Sequence, residues 1–307
     1  MSAIPDESRL WRYKDLIADW DAFVDTVEHA APTSLRVRTK RVTPADLAVR
    51  LSRQGITTCP WTWDPEILIA DRGSIGATLE HWLGLYYVQE LTQTVPVRIL
   101  DPRPDERVLD LCAAPGGKTT QIASRMENQG VLVVNEPSGR RQPALLANLN
   151  RLEVVHAIVL SRRGEEFPLG GVFDRILIDA PCSGEGTLRK DPSMRAGASK
   201  RTIDRLSKLQ KRLIVRGFDL LRTGGRMVYS TCTFAPEENE AVVAELLWRR
   251  EHAAIESISL ALPHAEGVRR WNGETYPDTV AGTVRLYPQH LDSGGGYVAC
   301  IRKSVPD

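Results

Sequence analysis

The run VLDLCAAPGGKTTQIA at 108–123 limits the fold more than any other stretch of the 307-residue chain. An apolar strand ends at Asp110, a turn of small residues follows, and a helix starts at about Lys118. A turn built from Cys112, Ala113, Ala114, Pro115, Gly116 and Gly117 lets the backbone approach a ligand closely. The free N–H groups at the helix start then favour a carboxylate or phosphate. Strand, tight turn and helix form the opening unit of a doubly wound sheet, whose ligands bind at the carboxyl ends of the strands. A Walker phosphate loop is excluded by spacing, because GGKT lacks the earlier glycine of GxxxxGK[ST].

The same alternation continues downstream. RVLDL, VLVVN, AIVL, RILIDA and MVYST read as strands, with KTTQIASRM, QPALLANLNRL and the long stretch from Ser199 to Leu221 as helices between them. The fold class expected is α/β with a mostly parallel sheet. Residues 1–72 read as a small α+β appendage containing SLRVRTKRV, a helix capped by Thr43 and a strand at EILIA. Residues 73–104 are expected as a helical linker and 105–307 as the large domain, with loop at 260–292 and a last strand near GYVACIRK.

Composition excludes several classes. Five cysteines, at 59, 112, 182, 232 and 300, contain no CxxC pair, so free thiols are expected, with neither a disulfide framework nor a metal site. No apolar run reaches membrane-helix length and the first residues have no signal-peptide core, so a cytoplasmic protein with no membrane partner is expected. A net charge of +1 leaves a nucleic-acid partner open. Its distribution is uneven: ten Lys or Arg stand against two Asp between Arg189 and Arg216, and a second cluster comprises Arg36, Arg38, Lys40 and Arg41.

Chemistry is concentrated at the strand ends. Glu136 follows the second strand, where a carboxylate can accept two hydrogen bonds from ribose hydroxyls. The fourth strand runs into DAPCSGEG and the fifth into STCTFAPEEN, so Cys182 and Cys232 should face one crevice, whereas Cys59, Cys112 and Cys300 read as packing. Two thiols there suit pyrimidine chemistry, since a thiolate adding to carbon 6 of cytosine makes carbon 5 nucleophilic. APEEN reads as a helix start after Cys232, and Asp179 can hydrogen-bond or protonate the ring nitrogen of the base.

Together SLRVRTK, YYVQE, DLCAAPGGKTTQ, NEPSGRR, DAPCSGEGTLRKDP, YSTCTFAPEENE and GYVACIRK, in this order between about 34 and 303, resemble the Sun and nucleolar-protein type of RNA cytosine-5 methyltransferases. The bacterial small-subunit ribosomal RNA enzymes are the most similar of these. The resemblance implies a Rossmann-like class I methyltransferase core with a seven-stranded sheet, an RNA-binding appendage, and S-adenosylmethionine as cofactor. It implies that Cys232 attacks carbon 6 and Cys182 assists release, that Cys112 to Lys118, Glu136, Arg141 and Asp179 hold the cofactor, and that Lys118 and Asp179 lie near the target base. DNA cytosine methyltransferases use the PC cysteine as nucleophile instead, and their glycine-rich first motif and ENV signature are absent.

Two departures from the family stand out. Arg163 occupies the position after the third strand where an acid usually contacts adenine, so either Glu165 or Glu166 takes over that grip or cofactor affinity is reduced. The chain also ends soon after GYVACIRK, so substrate choice is expected to rest on the appendage and the basic segment, with RNA (ribosomal before transfer) as partner and a monomer as the acting unit. The alternative reading is a catalytically weak RNA-binding or ribosome-assembly factor with the same fold. A cysteine hydrolase is set aside, because no histidine falls in a matching motif.

Overall fold

The computed structural model describes residues 4–71, 75–170 and 172–305. Its first long helix, α1 (Trp20–Glu28), starts where Asp19 accepts from the Ala22 N–H at 3.0 Å. The helix buries Trp20, Phe23 and Val27 in a cluster that also holds Tyr13, Phe234 and Tyr287. Residues 4–27 thus pack on the large domain, because their aromatic and apolar side chains find their partners there.

The small antiparallel sheet comprises β1 (Thr33–Val37), β2 (Thr58–Trp61), β3 (Asp64–Ala70) and β4 (Tyr86–Val88), ordered β2-β3-β1-β4. Helix α2 (Pro44–Ser52) covers it, capped by Thr43 as its sequence predicts, with Pro44 in the first turn. The short α3 (Leu79–Trp82) leads into β4, a strand drawn from the stretch expected to be helical linker. The expected boundary between residues 72 and 73 lies outside the described residues. Helix α4 (Leu91–Leu100) then enters the large domain.

The large sheet begins with β5 (Arg107–Asp110), α5 (Gly117–Arg125), β6 (Val131–Asn135), α6 (Gln142–Arg151), β7 (Ala157–Leu160) and β8 (Phe173–Asp179). It continues through α7 (Lys200–Leu220), β9 (Leu221–Thr231), α8 (Glu240–Arg249) and the short β10 (Ala253–Ile255) and β11 (Ala265–Glu266). After a two-stranded hairpin of β12 (Arg270–Trp271) and β13 (Glu274–Thr275), β14 (Val284–Leu286), α9 (Pro288–Leu291) and β15 (Gly296–Lys303) complete it. The strand order is β11-β14-β15-β9-β8-β5-β6-β7, with β10 also on β15. The five strands from β9 to β7 are parallel, and β15 runs antiparallel between β9 and β14. Without β10 and β11 these are the seven strands of the Rossmann-like methyltransferase fold. The 260–292 region, expected to be loop, supplies β14, whose three residues were too few to show periodicity.

Both faces of the sheet are covered, so its parallel strands carry consecutive apolar residues at their centres, as in VLVV of β6 and ILI of β8. Ile176, Ile178, Met227 and Tyr229 face α7 and α8, while Leu177 and Val228 point the other way with Val108 and Val298. Among the described residues no helix is long and apolar enough to cross a membrane.

The cluster Arg36 to Arg41 joins the two sheets. Arg36 is buried and donates to the Gly117 carbonyl at 3.0 Å and to Thr120 Oγ1 at 2.7 Å. Arg38 and Arg41 both pair with Glu153, and Lys40 with Glu127 at 2.8 Å. This basic cluster serves internal docking instead of presenting charge to a ligand.

One ion pair is sealed in the large domain. Arg285 on β14 meets Glu240 at the start of α8 through Nε–Oε1 at 2.6 Å and Nη2–Oε2 at 2.5 Å, and donates to the Phe234 carbonyl at 2.9 Å. Removing one partner strands the other charge away from water. Arg285→Met is expected to lower stability in urea unfolding by about 3–5 kcal/mol, and adding Glu240→Leu should recover part of that loss.

Candidate active site

The parallel pairing of β8 with β9 sets Asp179 opposite Ser230, and the Ala180 N–H extends the ladder to the Ser230 carbonyl at 2.9 Å. Both chains then leave the sheet at the same edge. Cys182 and Cys232 come side by side, with their Sγ atoms 3.1 Å apart and the Cys232 N–H donating to Cys182 Sγ at 3.2 Å. Ser183 and Thr233 join the loops again through their hydroxyls at 2.7 Å.

A cavity of about 290 Å³ opens at this edge. Its floor is the small-residue turn from Cys112 to Pro115 with Gly117; Lys118, Asp179 and Cys232 stand on its walls, and Tyr87 to Glu90, Gln93, Thr187 and Lys190 close it. Cys232 lines the cavity whereas Cys182 stands behind it. Asp179 accepts from Ser230 Oγ at 2.9 Å and from Lys118 Nζ at 2.8 Å, and the ammonium also donates to Gln93. Sequence reasoning gave no role to Tyr87, inside YYVQE, or to Gln93 just beyond it, because both reach the site only through the docking of β4 and α4.

The turn itself requires glycine. Gly116 has φ of +103°, and a Cβ on Gly117 would lie 3.0 Å from the Tyr87 ring. Asp110 at the end of β5 is buried, accepts from Thr119 Oγ1 at 2.7 Å with one oxygen, and leaves the other, Oδ1, without a partner among the described residues. Burial first, and then the charge of Asp179, push the Asp110 carboxyl up to about 7. An orphaned acid oxygen in a glycine-lined cradle suits a cofactor carrying an ammonium group.

Glu136 and Arg141 come to the same turn from its other side. Glu136 is buried and accepts from the N–H groups of Ala114 at 3.3 Å and Ser138 at 2.9 Å; Arg141 Nη1 lies 3.5 Å from it and Nη2 donates to the Ala114 carbonyl. Arg163 turns outward and pairs with Glu165 at 2.7 Å and Glu166 at 2.9 Å. Glu165 is shared with Arg212 at 3.8 Å, so both acids that follow Arg163 are held in ion pairs.

The expected helix start at APEEN is displaced. Residues 236–239 form a turn and α8 begins at Glu240. Glu237 pairs with Arg12, and Glu238 turns inward, accepting from the Ser183 N–H at 3.0 Å and from Gln210 at 2.8 Å. Burial pushes the Glu238 carboxyl up to about 7. The Cys182 thiol is held well above its ordinary range, first by its hydrogen bond with Cys232, then by burial and the neighbouring Cys232 and Glu238 charges. Cys112 is likewise raised by burial, Cys300 is buried, and Cys59 is exposed rather than packed.

Glu185 was quoted in a motif without a role. Buried, it accepts from Tyr13 Oη at 2.7 Å, Thr233 Oγ1 at 3.1 Å and the Ala198 N–H at 2.9 Å, tying the amino-terminal segment to both cysteine loops.

Of the basic segment, Arg189 and Arg195 are spent on backbone carbonyls at the α1 end. Lys200, Arg201, Arg205, Lys208 and Arg212 line one open face of α7, with Asp204 among them.

The family model described as 16S rRNA methyltransferase RsmB/F matches residues 97–302. The chain is 38% identical to the 26S rRNA (cytosine-C(5))-methyltransferase nsun-1 of Caenorhabditis elegans, over 92% of the chain and 43% of that protein. It is also 38% identical to the tRNA (cytosine(49)-C(5))-methyltransferase of Pyrococcus abyssi, over 88% of both. Among solved structures, a methyltransferase homologue from Pyrococcus horikoshii superposes with a TM-score of 0.81 at 32% identity, over 93% of this chain and 91% of that one. The chain spans less than half the length of the nematode relative and most of the archaeal one.

Asp110 links the site to stability. An acid whose folded pKa lies above its unfolded value destabilises the fold as it ionises, so the penalty is absent below the unfolded value and grows as pH rises to about 7. Asp110→Asn is expected to raise stability at pH 8 by on the order of 2–4 kcal/mol, a gain that shrinks steadily towards pH 4 in urea titrations.

Proposed function

The chain belongs to the RsmB/F family of 16S rRNA methyltransferases, and on that premise we propose that it transfers a methyl group from S-adenosylmethionine to carbon 5 of a cytosine in RNA, through a covalent bond between Cys232 and carbon 6. The observation that carries this reading is the pair of sulfurs 3.1 Å apart beside a cavity that also holds Lys118 and Asp179.

The cofactor fits the turn from Cys112 to Lys118: Asp110 Oδ1 would accept from its ammonium, and Glu136, Arg141 and Asp179 would complete its grip. When bound it supplies an electrophilic methyl group on a sulfonium. The remaining chemistry belongs to the protein. Cys182, kept as a neutral thiol by its surroundings, lies 3.1 Å from Cys232 Sγ, where its S–H would donate to the attacking sulfur. Cys232, exposed to the cavity, bonds to carbon 6, and the Lys118–Asp179 pair offsets charge and holds a proton at the ring nitrogen. After methylation the carbon 5 proton would pass to water in the open cavity, its electron pair re-forming the carbon 5–carbon 6 double bond as the carbon–sulfur bond breaks, and the Cys182 thiol would assist by donating to the departing Cys232 sulfur.

RNA binding is proposed to use the small sheet and the basic face of α7, with the target base taken out of its stack at a cost of a few kcal/mol. Relatives of equal identity are named for ribosomal and for transfer RNA. We put ribosomal RNA first because the family model is named for it.

With tritiated S-adenosylmethionine and cellular RNA, label is expected in cytosine; folded protein giving none would favour a binding or assembly factor instead. Cys182→Ala is expected to accumulate a covalent protein–RNA adduct on denaturing gels, whereas Cys232→Ala should give neither adduct nor methylation. An adduct with Cys232→Ala would reverse the two roles.

A further inference from the structure

Two-cysteine chemistry does not by itself distinguish cytosine from uracil. A thiolate added at carbon 6 activates carbon 5 in either ring, and the bases differ at carbon 4, where cytosine carries an amino donor and uracil a carbonyl acceptor. A site selective for cytosine therefore needs an acceptor facing carbon 4, because a buried polar mismatch rejects the wrong base far better than shape does.

The cavity wall offers few free acceptors. Asp179 accepts from Ser230 and Lys118 and in the reading above is committed to the ring nitrogen, and Gln93 Oε1 accepts from Lys118. Asp110 belongs to the cofactor turn, and Gln89 Oε1 is sealed from solvent. Glu90 remains. It stands at the start of α4 yet makes no capping bond, and among the described residues no hydrogen bond or ion pair engages its carboxylate.

Its position is beside the nucleophile. A Cβ on Gly294 would lie 2.7 Å from Glu90 Oε2 and 2.9 Å from the Gly186 carbonyl. The Gly186 N–H in turn donates to the Cys232 carbonyl at 2.8 Å, and the Gly295 N–H donates to the Gly186 carbonyl at 2.8 Å. The carboxylate thus shares a glycine-walled corner with the Cys232 loop, where no side chain covers it. Burial lifts its carboxyl above the usual range, and Lys190, Lys118 and Arg189 counter this.

Resting on the cytosine-5 reading above, we propose that Glu90 is a specificity-determining residue that reads carbon 4 of the target base, its carboxylate accepting a hydrogen bond from the exocyclic amino group. Uracil would bring a carbonyl oxygen against the carboxylate, two acceptors with no proton between them.

The test uses an RNA oligonucleotide spanning a cytosine that the wild-type protein methylates, together with copies carrying 2-pyrimidinone, which lacks the amino group, or uracil at that position. Glu90→Ala is expected to slow methylation of cytosine by about 10- to 100-fold while leaving the rate of adduct formation with 2-pyrimidinone nearly unchanged. Equal slowing on both bases, or on neither, would overturn the proposal. Glu90→Gln, close to isosteric and offering both an acceptor and a donor, should narrow the preference for cytosine over uracil; an unchanged preference would count against the assignment. If the wild-type protein methylates no cytosine in any RNA, the cytosine-5 reading falls first and this one with it.

Discussion

The parallel register of β8 against β9 is the constraint on which the site depends. Asp179 and Ser230 are paired across it, so the two loops that leave the sheet beyond them start level and carry Cys182 and Cys232 into contact. A slip of one residue would turn every side chain of β8 to the opposite face, exchanging Leu177 with Ile176 and Ile178 between the two cores and moving Asp179 out of line with Ser230. That register is fixed by burial on both sides of the strand, where Ile176 and Ile178 face one core and Leu177 the other. The chemistry is positioned by packing that has no chemical role of its own.

Around the cysteines the protein distributes negative charge unevenly. Glu238 and Glu185 are buried beneath the loops, and Glu240 is neutralised by the sealed guanidinium of Arg285. The Cys182 thiol is held well above its ordinary range by its hydrogen bond with Cys232 and by burial, and the nearby Glu238 adds to both. Cys232 faces the cavity instead, where Lys118 and Lys190 stand on the walls. Two hydrogen-bonded thiols are thereby placed in different surroundings, one behind the cavity and one on its wall, and the different duties proposed for them rest on that asymmetry. Asp110 shows the cost of such a site, since an acid kept buried with one oxygen free is a stability sacrificed for a ligand.

The small sheet is better understood as part of the active site than as an appendage. Arg36 reaches from β1 to the Gly117 carbonyl and Thr120, and Tyr87 of β4 packs against Gly117. The wall it contributes bears Gln89 and Glu90, and α4, entered from β4, bears Gln93. The amino-terminal residues pack behind the cysteine loops, with Tyr13 held by Glu185. None of this was legible from local pattern, because a buried arginine and a solvent-facing one look alike in a row of basic residues.

What the sequence determined by itself follows from short-range physics. The period-2 and helical apolar patterns specify the strands and helices of the large domain, Thr43 and Ser199 mark helix starts, and the small residues at 112–117 announce a close-approach turn. Tertiary structure alone decided what depends on residues distant in the chain. It brought Cys182 and Cys232 into contact, turned Glu238 inward, consumed Arg36 to Arg41 and Arg189 in docking, tied Glu165 to Arg163 and Arg212, and left Glu90 facing the cavity. The reason is that a side chain's charge and partners depend on the neighbours that folding brings to it, whereas its backbone preference travels with the residue.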